Sequence, residues 1–554
     1  MQYNSNNIVN LQNEINSGEF TGDENISNAT AKRRRKRARE SEKKYRQTLS
    51  RFPFLIPFFE KHEEDLPMNV RHALLNNLKS IIAGSEATIL TTMGKHLDPE
   101  VIKTQFMNQF GARILLLSDR LVELEQSNMA KFGTRSLQKP WQDRRDTVLA
   151  YFELFNVPEY LKSELMRIAC SVSGDLRAIS DENAIDKLHN NTSSGLPAMT
   201  RKGNIKDGLL QIVEDQAAKL FPCVLFTRTQ EGGKTRPVWG FPASWTVIEQ
   251  SIYQPLLKFQ KSLYWRKAIV SAEEVDKSIT QIIDNAMNQG LKLISIDFSA
   301  YDASISPDLQ DAAFKYISNL FQKGSQERIE WIAWNFSHIG LITPEGIMYG
   351  PHGVPSGSVF TNEIDSIVQY LIARSFGNIS EFFQIQGDDG VYATDDPVGL
   401  MDHFVKFGLQ VNKDKTDISD STVVFCQKLY DPIYRKDNGV IGGIYPLSRA
   451  LGRLVYQERF TDIESAKIDK ESYYAIRAIC ILENCKNHPL FEEFVRFIYD
   501  LENGLSIDDA SIRAYIDMVT EKDGRFGTVT NQYGDELTGI KSFETYKLIQ
   551  EWNS

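Results

Sequence analysis

An α+β protein, with a central sheet region between two helical lobes, is the fold this sequence predicts, and three observations carry that prediction. Leucines and isoleucines recur at helical spacing in "VRHALLNNLKSIIAG" and "ARILLLSDRLVELEQ", so Phe52 to about Cys170 reads as helical. After the Gly/Pro-containing loop region near "NNTSSGLPAMTRKGN", the β-rich runs "CVLFTRTQ", "LKLISIDF", "FFQIQ", "GVYAT" and "STVVFCQKLY" appear between helices. The C-terminal part, with "SYYAIRAICILENC" and "FEEFVRFIYDLENG", returns to helical spacing. Sheet and helices segregated in this way define the class.

The chain of 554 residues is 42% hydrophobic and 25% charged, a globular composition. It has room for about two to four subdomains and is neither fibrous nor wholly disordered. Cys170, Cys223, Cys426, Cys480 and Cys485 form no Cys-x-x-Cys pair and stand apart from histidine clusters, so they predict reduced, mostly buried thiols and no zinc site. The N-terminus "MQYNSNNIVNLQNE" has no apolar signal core, and no run approaches the roughly 18 apolar residues that cross a bilayer. The expectation is a soluble, unsecreted protein with no membrane partner. His338, His352 and His403 follow no zinc or triad pattern and are expected to be structural, as are Phe425 and Tyr430 in packing.

Net charge is −10, yet Ala31 to Arg46 is densely basic and carries Arg33, Arg34, Arg35, Lys36 and Arg37. Such an arm attracts phosphate and so is a candidate RNA-binding segment; a solvated tail or a localisation signal is the alternative. The preceding residues are rich in Asn, Ser, Gly and Thr, which predicts a mobile start to the chain.

The stretch "FFQIQGDDGVYAT" sets Asp388 and Asp389 on a glycine turn between two apolar, strand-like runs. Adjacent buried carboxylates raise each other's pKa and lose water, a cost that a cation removes. Upstream, "LKLISIDFSAYDASIS" alternates so that Asp297 falls at or near a strand end. If that strand lies beside the hairpin, the three acids can share divalent ions, for which hard oxygen ligands suit Mg²⁺. Two ions about 3.5–4 Å apart activate an attacking 3′-hydroxyl and stabilise a departing pyrophosphate. Alone, Gly-Asp-Asp is an ordinary hairpin turn.

Two further features give it company. A glycine-rich loop, Gly353 to Gly357, runs into a helix with apolar Ile364, Ile367, Val368 and Leu371; "FTRTQEGGKTRPVWGFP" places Arg228, Lys234 and Arg236 in a strand-loop-strand context. "GGKT" is not a P-loop, because Arg228 stands where Gly-x4-Gly-Lys-Thr requires glycine.

The ordered set "TSSGLP", "RTQEGGKTRPVWGFP", "DFSAYD", "GVPSGSVFT", "QGDDG", "GLQVNKDKTDIS" and "FCQKLY" resembles the successive motifs of the viral RNA-dependent RNA polymerases, over roughly Asn190 to Tyr430. With "GGIYPLSRALGRLVYQERF" it is most similar to the picobirnavirus polymerases, then to those of partitiviruses. The resemblance implies a right hand of fingers, palm and thumb, mostly helical outside an antiparallel palm sheet. The expected divisions are a basic arm (1–50), a helical N-terminal region bridging fingers and thumb (51–170), fingers (171–285), palm with the first acidic motif (286–310), fingers and palm helices (311–350), palm (351–435), and thumb with the C-terminal region (436–554).

The resemblance also implies residue roles. Asp297 and Asp388 would be the main ligands of two Mg²⁺ ions, with Mn²⁺ a substitute, and Asp389 would assist them or the primer end. Asp302 would read the ribose 2′-hydroxyl, which a carboxylate accepts and a deoxynucleotide lacks. Ser356, Thr361 and Asp365 would join it; Asp365 stands where several positive-strand virus polymerases carry asparagine, and a second carboxylate there is repulsive unless one is protonated or the pair is bridged. Arg228, Lys234 and Arg236 would grip the triphosphate. Lys413 or Lys415, preferably Lys415, would protonate pyrophosphate as general acid. Ser193, Ser194 and Gly195, with Gly353 and Gly357, would line the template and nucleotide path.

The implied activity is RNA-directed RNA synthesis from nucleoside triphosphates, replicating and transcribing a double-stranded RNA genome, with de novo initiation. Its partners would be RNA template and product, nucleotides and the viral capsid protein; the enzyme would be a monomer in the virion interior and host cytoplasm. A reverse transcriptase is disfavoured by Asp302, and an RNA-packaging or capsid-linking protein would explain the basic arm but not the acids.

Overall fold

The computed structural model describes residues 40, 42–460, 468–505, 507–520, 529–530, 536–537 and 539–553. Two compact units divide the chain, 1–63 and 64–554. In the first, the helix Leu55–Lys61 buries Leu55, Phe58 and Phe59. Arg33, Arg34, Arg35, Lys36 and Arg37 lie outside the described residues.

The second unit begins with helices, as the spacing predicts: α1 (Met68–Ala83), α2 (Pro99–Ile114) and α3 (Asp119–Met129). In α1, Val70, Leu74, Leu78 and Ile81 recur at three- and four-residue steps and are buried as one stripe. Asp98 starts α2 by accepting from the Glu100 N–H at 2.8 Å, with Pro99 in the first turn where its missing N–H costs nothing.

An antiparallel hairpin follows, β1 (Cys223–Thr229) and β2 (Thr235–Gly240), with Arg228 directly opposite Arg236. Helices α4 (Ala243–Gln260) and α5 (Ala272–Gln289) lead into β3 (Lys292–Ile296). After α6 (Thr361–Phe376) come β4 (Gln384–Gln386), β5 (Asp389–Thr394) and β6 (Asp417–Ser419). Strands β3 to β6 make one antiparallel sheet in the order β6-β3-β5-β4. Leu293, Val391 and Ala393 pack on Ile279, Ile282 and Ile283 of α5 on one face. On the other, Tyr392 packs against Phe404 at 6.2 Å and donates to Gln369 of α6 at 2.7 Å. A sheet covered on both faces leaves its strand ends as the place for polar chemistry.

The run "STVVFCQKLY", expected as one strand, is a hairpin of β7 (Val423–Phe425) and β8 (Lys428–Tyr430). Cys426 (φ 49°) and Gln427 (φ 67°) form its two-residue turn in the left-handed region. The asparagine or glycine that usually marks such a turn is missing, so the run read as continuous. Phe425 and Tyr430 are packed away as expected.

The C-terminal helices return to the N-terminal ones. Glu125 of α3 accepts from the Leu447 N–H at 2.6 Å and the Ser448 N–H at 2.9 Å, so a buried carboxylate faces the positive end of α7 (Leu447–Val455). Ile89–Leu90 pairs antiparallel with Tyr456–Gln457, and the Thr91 hydroxyl donates to the Leu454 carbonyl at 2.6 Å. Phe106 and Phe110 share one core with Phe494 and Phe497, the Phe106 and Phe494 rings 5.9 Å apart.

Candidate active site

The β4–β5 hairpin turns on Gly387 and Asp388, with Gln386 paired to Asp389. Gly387 takes φ 62°, a conformation glycine adopts without a side-chain penalty. On the neighbouring strand Ile296 pairs with Gly390, so Asp297 leaves β3 beside the turn. Its N–H donates to the Thr416 hydroxyl at 3.2 Å, its carbonyl accepts from the Asn412 N–H at 2.8 Å, and its carboxylate accepts from the Asn412 side chain. Burial lifts the Asp297 carboxyl above its ordinary pKa; Lys415 and Lys234 oppose that shift while Asp388 adds to it. Asp389 is pushed up to about 7 by burial, with the charges of Asp388 and Asp297 adding to the effect. The three acids therefore act on one another, as the sequence pattern required.

A buried polar scaffold holds the turn from beneath. Arg266, fully buried, donates to Ser366 at 2.5 Å, to Gln386 at 3.0 Å, to Asn362 at 3.0 Å and to both oxygens of Glu363 at 3.0 and 3.1 Å. Ser366 accepts in turn from the Gly387 N–H at 2.8 Å, and Gln369 donates to the Gly387 carbonyl at 2.9 Å. A guanidinium fork with this many partners ties α6 to the acid turn through several fixed directions at once. Sequence reading missed Arg266; a lone arginine in "LYWRKAIV" was the faint signal.

Asp302 sits on the single helical turn Tyr301–Ser304. The Ser356 hydroxyl donates to its carboxylate, and the Val354 N–H donates to its backbone carbonyl at 2.7 Å. Glycine is needed at 353 because a Cβ there would lie 2.6 Å from the Asp302 carbonyl oxygen and 2.7 Å from that of Ala303. Gly357 (φ 148°) lies against the Trp239 carbonyl, where a Cβ would collide. Asp365 is buried, with one carboxyl oxygen lacking a hydrogen-bond partner. Burial, reinforced by Asp302 and Asp388, drives its carboxyl well above the ordinary range, the direction that lessens the repulsion expected beside Asp302.

Other residues take structural places. The Thr361 hydroxyl donates to the Ser358 carbonyl at 2.9 Å and accepts from the Gly357 N–H at 3.3 Å, so it closes the glycine loop at the start of α6. Ser358 is held by buried Glu249, which accepts its hydroxyl at 2.6 Å and whose carboxyl burial pushes up to about 7. Ser194 is 1% exposed, and its hydroxyl accepts from the Thr200 N–H at 3.1 Å: it shapes the loop instead of lining a path. Gly195 (φ 58°) lies against the Phe241 carbonyl. Ser193 does line a cavity of about 630 Å³, with Asn77, Thr200, Arg201 and Asn204 among its polar neighbours. His352 is buried between the Gly353 and Ile339 carbonyls at 2.7 and 3.1 Å, a structural histidine as expected.

Arg228, Lys234 and Arg236 are all exposed on the β1–β2 hairpin. Arg236 exerts its charge on Asp302 and Asp389, and Lys234 on Asp297, so the hairpin faces the acids. Like charges directly opposite on paired strands repel, and an anion between Arg228 and Arg236 would offset this. The hairpin tip is fixed by ion pairs of Glu231 with Arg135 at 2.8 Å and Arg449 at 2.7 Å; Glu458 lies 2.6 Å from Arg135 and 3.8 Å from Arg228. Of the two lysines, Lys413 pairs with Asp402 at 3.7 Å, while Lys415 acts electrostatically on Asp297.

Among the described residues, no three acidic, histidine or cysteine side chains close tightly enough to hold an ion unaided. Asp297, Asp388 and Asp389 nevertheless present hard oxygen donors whose mutual repulsion a divalent cation relieves, so the donor set fits Mg²⁺, which takes its other ligands from water and phosphate.

Residues 153–438 match the family described as viral RNA-dependent RNA polymerase, and the chain belongs to that family, with its RNA-directed RNA polymerase activity and right-hand fold. Similar proteins place it nearer to one group. It is 28% identical over 410 residues to a potential RNA-dependent RNA polymerase of human picobirnavirus (strain Human/Thailand/Hy005102/-), spanning 68% of this chain and 75% of that one. It is 23% identical over 275 residues to the RNA-directed RNA polymerase of Cryptosporidium parvum virus 1, spanning 44% and 52%. Its fold matches the crystal structure of the RNA-dependent RNA polymerase of a human picobirnavirus with a TM-score of 0.69 at 23% identity, covering 88% of this chain and all of that one. The expected kinship with double-stranded RNA virus polymerases is borne out. Polymerases of the family use divalent metal ions. No helix among the described residues is long and apolar enough to cross a membrane.

Proposed function

We propose that this polymerase replicates and transcribes a viral double-stranded RNA genome from nucleoside triphosphates by two-metal nucleotidyl transfer, initiating de novo. The observation that carries this reading is the facing of two opposite charge sets: Asp297, Asp388 and Asp389 at the strand ends, and a basic hairpin on which Lys234 acts on Asp297 and Arg236 on Asp389, with Arg228 directly opposite Arg236. Asp297 and Asp388 would hold two Mg²⁺ ions, or Mn²⁺ in their place, with Asp389 assisting. Bound there, the ions would activate the attacking 3′-hydroxyl and neutralise the leaving pyrophosphate.

The remaining steps belong to side chains. Arg228, Lys234 and Arg236 bind and orient the triphosphate. Lys415 gives a proton to pyrophosphate as the bond to it breaks. Asp302, held by Ser356, accepts the ribose 2′-hydroxyl, and buried Asp365 stands behind that wall. Ser193 and the cavity beside it take the template. Fingers at 171–285, palm at 286–310 and 351–435 and thumb from 436 would divide the labour, with 51–170 bridging fingers and thumb. The enzyme would act as a monomer with the capsid protein as partner, in the virion interior and host cytoplasm, its basic arm on RNA.

The test is an unprimed reaction on single-stranded RNA with Mg²⁺ or Mn²⁺ and a γ-phosphate-labelled NTP. De novo initiation leaves the label on the 5′ end of a template-length product; dependence on an added primer would refute it.

A further inference from the structure

Tyr151 belongs to none of the polymerase motifs, yet it reaches one. It lies on the short helical turn Ala150–Phe152, is 6% exposed, and sets its phenol oxygen 3.2 Å from the Ser356 hydroxyl. Its backbone is locked to the same loop, since its carbonyl accepts from the Gly353 N–H at 2.7 Å, and its ring lies 5.9 Å from that of Trp239. The Trp239 N–H donates in turn to the Ser356 carbonyl at 2.8 Å. Phenol, hydroxyl and carboxylate thus stand in line: Tyr151, Ser356, Asp302.

The direction of that line follows from counting protons. A carboxylate only accepts, and serine has a single hydroxyl proton. Ser356 directs that proton to Asp302. The Tyr151 phenol must then be the donor to Ser356. A serine hydroxyl left without that donor is free to rotate toward other acceptors, so the phenol removes a freedom that would otherwise blur the position of the Asp302 oxygen.

We propose that Tyr151 is a positioning residue for sugar discrimination: by donating to Ser356 it holds the Ser356–Asp302 pair in the orientation that accepts a ribose 2′-hydroxyl. This rests on the reading of Asp302 and Ser356 as the ribose-binding pair. The phenol stands one side chain behind the pair and acts through it, so its effect falls on substrates that carry the 2′-hydroxyl and spares those that lack it.

The experiment compares kcat/KM for CTP and dCTP in wild type, Tyr151→Phe, Ser356→Ala and the double variant, with circular dichroism and melting curves showing each is folded. Loss of one hydrogen bond predicts that Tyr151→Phe lowers kcat/KM for CTP by roughly fivefold to tenfold and leaves dCTP unchanged. A merely structural role would lower both equally, and that outcome overturns the proposal. Ser356→Ala separates the two levels of inference. If it leaves the CTP/dCTP ratio unchanged, the ribose-binding reading fails and the proposal with it. If it collapses the ratio while Tyr151→Phe does not, only the role of Tyr151 fails. In the double variant, no loss beyond that of Ser356→Ala supports the relay, and additive losses refute it.

Discussion

The acidic turn and the basic hairpin face each other, but they are built in opposite ways. Asp388 stands on a turn whose neighbours Gly387 and Gln386 are fastened from below by Ser366, Gln369 and the fully buried Arg266. Arg228 and Arg236 stand exposed and opposite each other, and the ion pairs of Glu231 hold the hairpin at its tip. Metal ligands must be pre-set to within a fraction of an ångström, because an ion tolerates little error in ligand geometry. In the triphosphate-binding role proposed for them, Arg228 and Arg236 need only be brought to the right side of the site, since their long side chains complete the contact when the anion arrives. Rigidity was placed where geometry is strict, and freedom where charge suffices.

Substitutions on the two sides should therefore separate chemistry from stability. Asp388→Asn is expected to lower nucleotide incorporation by roughly 10³-fold or more while shifting thermal stability by no more than about 0.5 kcal/mol, because the side chain is exposed; a large loss of stability would show that the acid is structural. Arg266→Met should do the reverse first. It strands Glu363 without its partner and costs about 3–5 kcal/mol, read as lost hydrogen-exchange protection over 361–376 and 384–394, with activity falling as a consequence. Retained protection would mean the turn stands without its scaffold.

Lys415→Ala should slow incorporation roughly 10²-fold, and Lys413→Ala should leave it within about twofold, since Lys413 pairs with the surface carboxylate of Asp402 while Lys415 acts on Asp297. Equal effects would remove the general-acid role. Arg236→Ala should raise KM for NTP roughly tenfold with stability unchanged or slightly improved, since it relieves a like-charge pair across the hairpin. If stability fell instead, the hairpin would depend on Arg236 for its own structure, and the contrast between the two regions would weaken.

The features legible in the sequence are those written locally. Gly-Asp-Asp between apolar runs, Asp297 at the end of an alternating stretch, and basic residues flanking a Gly-Gly turn each carry their meaning within a dozen or so residues, and each lies where its pattern places it. What escaped notice acts across long separations. Arg266 meets Ser366 a hundred residues on, and Tyr151 meets Ser356 205 residues on. No periodicity connects such partners. Ser194 differs from its expected place for a related reason: a hydroxyl in a glycine-rich loop has the same sequence signature whether it faces a ligand or its own backbone, and here it is buried against the Thr200 N–H. The two lysines of "VNKDKTD" were separable only by learning where Asp402 stands.

The pairing of Ile89–Leu90 with Tyr456–Gln457 also has a consequence for biosynthesis. The Thr91 hydroxyl and its acceptor at Leu454 are 363 residues apart in the chain. At the ribosomal pace of about 5–20 residues per second, roughly 20–70 s separate the emergence of one partner from the other. Every strand of the central sheet is made in that interval, so the nascent chain can complete its sheet, acids included, before the strap across its two ends can close.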